Sequence, residues 1–308
     1  MGNLVVEKDQ RLFRLVGARL SARAIAAVAR PLYHLNMIFK DKTVVITGGS
    51  EGVGAAAARK FADAGANLML VARNKKNLEA IATELRDKTR VEIFSMDVAD
   101  PDACVDVFKK TEFEFGRIDI LVNNAGYHER GGFETVSAED HGNMVDVNLR
   151  APIMLSRLVL PYLRDQGSGA IINVGSLAGR QPLADQVTYS ATKAGLRIFT
   201  YALFEELRGT DIKTALVSPG PIDTSFIMSN LDVVADLTMS QPISTAEEVA
   251  QAVLDLCGNR QKEVAIPKIT AALSRIFVLF PWLRRFLVPV FEAKGARVKE
   301  KLRQEKNS

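Results

Sequence analysis

Tyr189 and Lys193 stand four residues apart in the string Tyr-Ser-Ala-Thr-Lys. On a helix that spacing puts both on one face, so a phenol and an ammonium can converge. A neighbouring positive charge favours the phenolate and draws a pKa of about 10 toward neutrality. A tyrosine so placed can exchange a proton with an alcohol or a ketone. Alone, the pair equally describes a solvated lysine beside a half-buried tyrosine. Its meaning depends on the elements that position it.

The first of these is Thr47-Gly48-Gly49-Ser50-Glu51-Gly52-Val53-Gly54. It follows the apolar, β-branched run Thr43–Ile46, which reads as a buried parallel strand, and precedes Ala55–Phe61, which reads as a helix. In that setting Gly48 and Gly52 let the turn close and the backbone approach a pyrophosphate, while Gly54 lets the helix pack on the sheet. The helix N-terminus offers unpaired N–H groups and a positive dipole end to phosphates. Further strings follow in order: Asn123-Asn124-Ala125-Gly126, Asp146-Val147-Asn148, Ser176 after Ala170–Val174, and Pro219-Gly220-Pro221-Ile222-Asp223-Thr224.

With these strings the chain resembles the short-chain dehydrogenase/reductase family, in its simple one-domain branch, over about residues 41–266. The resemblance implies a ketone–alcohol oxidoreductase using NADPH or NADH. Tyr189 would be the proton donor and acceptor, and Lys193 would lower its pKa and hold the nicotinamide ribose. Ser176 would hydrogen-bond the carbonyl oxygen as charge develops on it. The backbone carbonyl of Asn148 would hold a water behind Lys193. Gly48, Ser50, Gly52, Val53, Gly54, Asp97, Val98, Asn124, Ala125, Gly126, Pro219, Gly220, Ile222 and Thr224 would line the cofactor, with Asp97 at the adenine.

The fold class agrees. Predicted strands near 43–47, 67–71, 91–95, 118–122, 170–174, 213–217 and 263–266 alternate with helices at 75–88, 101–114, 137–164, 187–208 and 246–257. Such alternation predicts an α/β, Rossmann-type doubly wound parallel sheet with a ligand at the strands' carboxyl ends. A length of 308 residues suits one large domain. Cys104 and Cys257 are too few for a disulfide framework and read as reduced packing residues. His34, His128 and His141 lack metal-ligand spacing, so no catalytic metal is expected.

Cofactor choice turns on Val71-Ala72-Arg73-Asn74, at the end of the second strand. A carboxylate there would accept hydrogen bonds from a ribose hydroxyl. Ala72 and Arg73 favour NADPH instead, because a guanidinium pairs with a 2′-phosphate by two parallel hydrogen bonds. Asn74 is a second candidate contact. Glu51 stands where many NADP-using relatives carry a basic residue, so NAD(H) stays open.

Both ends depart from the centre. Residues 10–40 hold six basic side chains and no acidic one, and residues 267–308 hold ten basic against three acidic. Residues 41–266 carry 23 basic against 31 acidic. The chain therefore divides into a basic helical extension (1–40), a catalytic domain (41–266) and a basic, apolar extension (267–308). Ile276–Phe291 mixes large apolar groups with Arg284 and Arg285; it is too charged to span a bilayer and suits a membrane interface. A cap over the cleft or a subunit contact fits the same composition. Arg11–Arg30 reads as a basic helix without a secretory apolar run.

The substrate expected is hydrophobic. Phe226, Ile227, Met228, Leu231, Val233, Val234, Leu237 and Met239 form an apolar lid in this reading, although a helix packed on the core fits them too. The glycine loop with Val71–Asn74 resembles 3-ketosphinganine reductases, and the C-terminal end those of acyl-dihydroxyacetone-phosphate and steroid reductases. A reductase of a lipid-like ketone, cytoplasmic and peripheral at a membrane, is the leading expectation. A small soluble ketone with the ends serving oligomerisation is a second, and a non-catalytic nucleotide sensor a remote third. The family implies a homo-oligomer. No nucleic-acid-reading motif accompanies the basic segments.

Overall fold

The computed structural model describes residues 39–224, 234–259 and 261–307. Seven strands form one parallel sheet in the order β3-β2-β1-β4-β5-β6-β7. They are β1 (Thr43–Thr47), β2 (Asn67–Ala72), β3 (Val91–Ser95), β4 (Ile120–Asn123), β5 (Gly169–Val174), β6 (Ile212–Pro219) and β7 (Glu263–Ile266). Every residue of β1 is buried, which explains its unbroken apolar run: both faces of a parallel sheet are covered.

Alternate residues feed two cores. Val44 and Ile46 pack with helices α1 (Gly52–Asp63), α2 (Lys75–Leu85) and α8 (Ala246–Gly258). Val45, between them, packs on the other face with α3 (Pro101–Phe115), α5 (Ala151–Asp165) and α6 (Val187–Glu206). Strand order reverses between β1 and β4, which opens a crevice at their carboxyl ends.

Helix starts are set by side-chain caps. Asn74, Asp100 and Ser137 accept backbone N–H bonds at the heads of α2, α3 and α4 (Ala138–Val145), and Thr245 with Glu248 forms a capping box on α8. The single helix expected over 137–164 is corrected. A π-helical turn, Asp146–Arg150, separates α4 from α5, and the i,i+4 periodicity runs through it without a break. The fourth strand begins at Ile120 rather than 118. Asp119 is drawn out of it to accept bonds from Thr43 N, Lys42 and Arg117.

Beyond β7 the chain forms α9 (Lys268–Leu279) and α10 (Pro281–Asn307). The latter packs on the short α7 (Asp236–Met239), where Val234 and Met239 meet Ile243, Val298 and Leu302. So Val234 and Met239, expected in an apolar lid, are buried against the C-terminal helix. Leu237, between them in the same expected lid, is half-buried, while Phe226–Val233 and the basic helix at 11–30 lie outside the described residues. Among the described residues no helix is long and apolar enough to cross a membrane, and no cluster of His, Cys, Asp or Glu is placed to hold a metal ion.

Candidate active site

The glycine loop leaves β1 and is welded to the start of the loop after β4. Thr47 Oγ1 accepts from Asn124 N (3.0 Å) and Ala125 N (3.1 Å), and Asn124 Nδ2 returns bonds to Thr47 O (3.0 Å) and Gly48 O (3.2 Å). Gly48 has φ +66°, a region that side chains disfavour. A Cβ on Gly54 would lie 2.0 Å from Gly48 O, so α1 begins at a distance only glycine allows. These interlocks hold the first N–H groups of α1 at the crevice mouth, where an anion is favoured.

Behind the crevice a buried polar chain ties strands to helix. Asn123 Nδ2 donates to Asn173 Oδ1 (2.8 Å), and Asn173 Nδ2 donates to Thr200 Oγ1 (2.9 Å) on α6. That fixes α6 against β4 and β5, and α6 carries Tyr189 and Lys193 in its first turns. Lys193 Nζ donates to Val174 O (3.1 Å) and lies 5.8 Å from the Tyr189 ring centre. Ser176, on the loop after β5, lines the same cleft as Tyr189, and its hydroxyl favours the phenolate of that tyrosine. Asn148, in the π turn, clamps the next loop: its Oδ1 accepts from Tyr127 N (2.8 Å) and its Nδ2 donates to Tyr127 O (2.6 Å). A methyl on Gly126 would stand 3.5 Å from Asn148 Oδ1 and 3.8 Å from Lys193 Nζ, so the three groups converge.

The electrostatics differ from the sequence expectation in one respect. Tyr189 is not drawn toward neutrality. Burial raises its pKa above 10, outweighing the Ser176 hydrogen bond and the charge of Arg130. Burial also brings Lys193 down to about 8. The Arg130 charge opposes that rise at Tyr189, while burial disfavours the charge of Lys193 itself.

One cleft of about 230 Å³ is lined by Gly48, Ser50, Gly52, Val53, Asn124, Ala125, Gly126, Ser176, Tyr189, Lys193, Pro219, Gly220, Ile222 and Thr224. A family-wide comparison matches residues 42–233 to the short chain dehydrogenases. The chain belongs to the short chain dehydrogenase family of oxidoreductases. An uncharacterised oxidoreductase of Staphylococcus epidermidis is 38% identical over 185 residues, 60% of this chain and 80% of that protein. Sulfoacetaldehyde reductase 2 of Chromohalobacter salexigens is 38% identical over 187 residues, 60% of this chain and 74% of that one. The ketoacyl reductase HetN of a Nostoc species is 33% identical over 244 residues, 77% and 83% of the two chains. A crystal structure of a metagenomic short-chain oxidoreductase in complex with NADP superposes with a TM-score of 0.64 at 31% identity, over 74% of this chain and 97% of that one.

Not every predicted residue of this dehydrogenase reaches the cleft. Gly54 lies behind the loop, and Asn148 acts one layer out through Tyr127. Val98 is buried in the core, where its carbonyl accepts from Cys104 Sγ (3.3 Å). Asn74 spends its side-chain oxygen capping α2 (3.1 Å from Asn77 N). Asp97 accepts from Ala99 N (2.9 Å) and lies 3.8 Å from the Arg73 guanidinium, which is 76% exposed.

The short chain dehydrogenase cleft also holds residues that sequence reasoning missed. Leu177, Leu183, Thr238 and Gln241 line it. His128 stacks on Tyr189 with ring centres 4.1 Å apart and 11° between planes. Burial, with Arg130 and Lys193 nearby, lowers its pKa to about 3. In sequence His128 reads only as a histidine without metal-ligand spacing; its place two residues after Gly126, in the loop that ends at the cleft, is the available signal.

Proposed function

We propose that the protein is an NADPH-dependent reductase of a hydrophobic, lipid-like ketone, working at a membrane surface. The observation that carries the chemistry is the convergence of Ser176, Tyr189 and Lys193 in the same cleft as the glycine loop. The cradle fits a dinucleotide: Gly48, Ser50, Gly52 and Val53 line the cleft at the head of the helix Gly52–Asp63, where backbone N–H groups favour a pyrophosphate. When bound, NADPH would supply the hydride.

The protein's own groups then have defined tasks. Tyr189 is protonated at neutral pH, so it serves as the acid that delivers a proton to the carbonyl oxygen. Ser176 donates a hydrogen bond to that oxygen and stabilises its developing charge. His128 holds the phenol ring by stacking. Lys193 holds the ribose and, with water on the Asn148 carbonyl, returns a proton to Tyr189.

NADPH is favoured by Arg73, whose weak ion pair with Asp97 leaves the guanidinium exposed at the end of β2, and by the NADP complex of the structural relative. Arg73→Ala is expected to raise KM for NADPH about tenfold, as loss of one charge-assisted pair should, with little change for NADH.

The membrane reading draws on α9 and α10. Ile276, Val278, Leu279, Phe280, Trp282, Phe286 and Val290 are exposed, Trp282 and Phe286 by 61% and 73%, alongside exposed Arg275 and Arg285. Arg284 donates to Pro182 O (2.8 Å), next to Leu183 of the cleft, so this apolar face adjoins the substrate side. Such a patch with flanking cations suits an anionic lipid surface. A second reading, a small soluble carbonyl substrate, draws on the sulfoacetaldehyde reductase relative and on the Arg130 charge beside Tyr189.

Cofactor oxidation with short- and long-chain ketones, with and without anionic liposomes, tests the proposal. NADPH turnover of long ketones, raised by liposomes, supports it. Turnover of small carbonyls alone, indifferent to liposomes, sinks it.

A further inference from the structure

A second cavity, of about 220 Å³, lies between α7, α9 and α10. Leu237, Ile269, Leu273, Phe277, Val288 and Phe291 supply its apolar wall. Both serine hydroxyls that line it are spent within the wall itself: Ser274 Oγ donates to Ala271 O (2.9 Å) and Ser240 Oγ to Leu237 O (2.7 Å). Lys294, its cation, is exposed.

Gln241 lines both this cavity and the cleft that holds Tyr189. Its Oε1 is buried and has no hydrogen-bond partner among the described residues. That oxygen sits 3.3 Å from where a Cβ on Gly220 would be, at the floor of the cleft. A buried amide oxygen left unpaired is costly, so such a group in a wall between two spaces points to a ligand that passes it.

The cavity is held open by firm contacts. A Cβ on Gly295 would lie 1.8 Å from Asp236 O, so α10 meets α7 backbone to backbone. Lys299 donates to Val234 O (2.7 Å) and pairs with Asp236 (2.9 Å). An apolar space kept this way costs stability unless something fills it. The polar demand lies at the junction with the cleft and the apolar wall lies beyond it, which matches a molecule with a polar reacting end and an alkyl tail.

We propose that this C-terminal cavity is the alkyl-chain subsite of the ketone substrate, entered past Gln241, with α9 and α10 setting the chain length accepted. This rests on the ketone-reductase reading above, and the test separates the two. Leu273→Trp and Ile269→Trp fill the cavity from half-buried and exposed positions that tolerate a larger ring. Thermal melting and NADPH affinity report their folding. Methyl ketones of four to fourteen carbons report turnover, and fluorescence of dansyl-labelled undecanoic acid reports binding without turnover.

Both variants are expected to keep the parent's rate on the shortest ketone. They lose about tenfold or more in kcat/KM on the longest, as unburying two methylenes would produce, and they lose the dansyl signal. Folded variants that bind the probe like the parent, or that lose short and long ketones equally, overturn the subsite. Leu273-dependent probe binding by a protein that reduces no ketone upholds the subsite and removes the reductase reading. Long-chain turnover with Leu273-independent probe binding does the reverse.

Discussion

Tyr189 and Lys193 show how burial decides what a residue pair can do. The spacing brought them together, but burial of the phenol raises the tyrosine pKa. Tyr189→Phe removes the proton donor while keeping the stack on His128. Turnover should fall about 10³-fold with cofactor affinity retained, measured by NADPH fluorescence titration. Lys193 carries the opposite shift. Its folded pKa of about 8 lies below the usual value of 10.5, so between those pH values the unfolded chain binds more protons and stability rises with pH. Lys193→Met should therefore melt no lower than the parent below pH 8, lose the rise in stability between pH 8 and 10.5, and lose turnover. His128, lowered to about 3, gives the same sign between pH 3 and 6.5: the unfolded state binds the extra proton, and stability falls with acid across that window. His128→Phe keeps an aromatic stack and should flatten that acid limb; an unchanged melting profile from pH 6.5 to 4 would contradict the assignment.

At the scale of elements, much of the architecture was readable. Apolar β-branched runs marked the strands because a doubly covered parallel sheet accepts no polar alternation; the caps Asn74, Asp100, Ser137 and Thr245 then fix where the helices begin. The π turn at Asp146–Arg150 was not readable, because a one-residue widening leaves the helical periodicity on both sides intact. Nor was the docking of α10 on α7, since Gly295 reads in sequence as a mere helix weakener. The structure makes Gly295 a contact point. Gly295→Ala should destabilise by about 1–3 kcal/mol, the usual cost of overpacking. The effect should localise to α7 and α10, seen as faster amide hydrogen exchange there with α1 and the sheet unchanged.

Over the whole molecule, residues 41–266 are acidic on balance and residues 267–308 basic. The exposed apolar face on α9 and α10 adjoins the cleft through Arg284 and Pro182. Trp282→Glu with Phe286→Glu places two charges on that face without touching the core. Flotation with anionic liposomes should drop at least about tenfold, since each change removes an interfacial aromatic and adds repulsion. Turnover of a water-soluble ketone should stay unchanged. Retained flotation would count against a membrane contact on this face.

The sequence by itself determined the family, the parallel sheet and the set Gly48, Gly52, Ser176, Tyr189 and Lys193, because chemistry and tight turns tie residue type to position. It left His128, Arg130, Gln241 and the C-terminal cavity unmarked. Those depend on which loop and helix faces meet between segments distant in the chain, and no local spacing encodes that meeting. Only the tertiary structure showed that burial raises the Tyr189 pKa, since desolvation is a property of everything packed around a group and not of its neighbours in sequence.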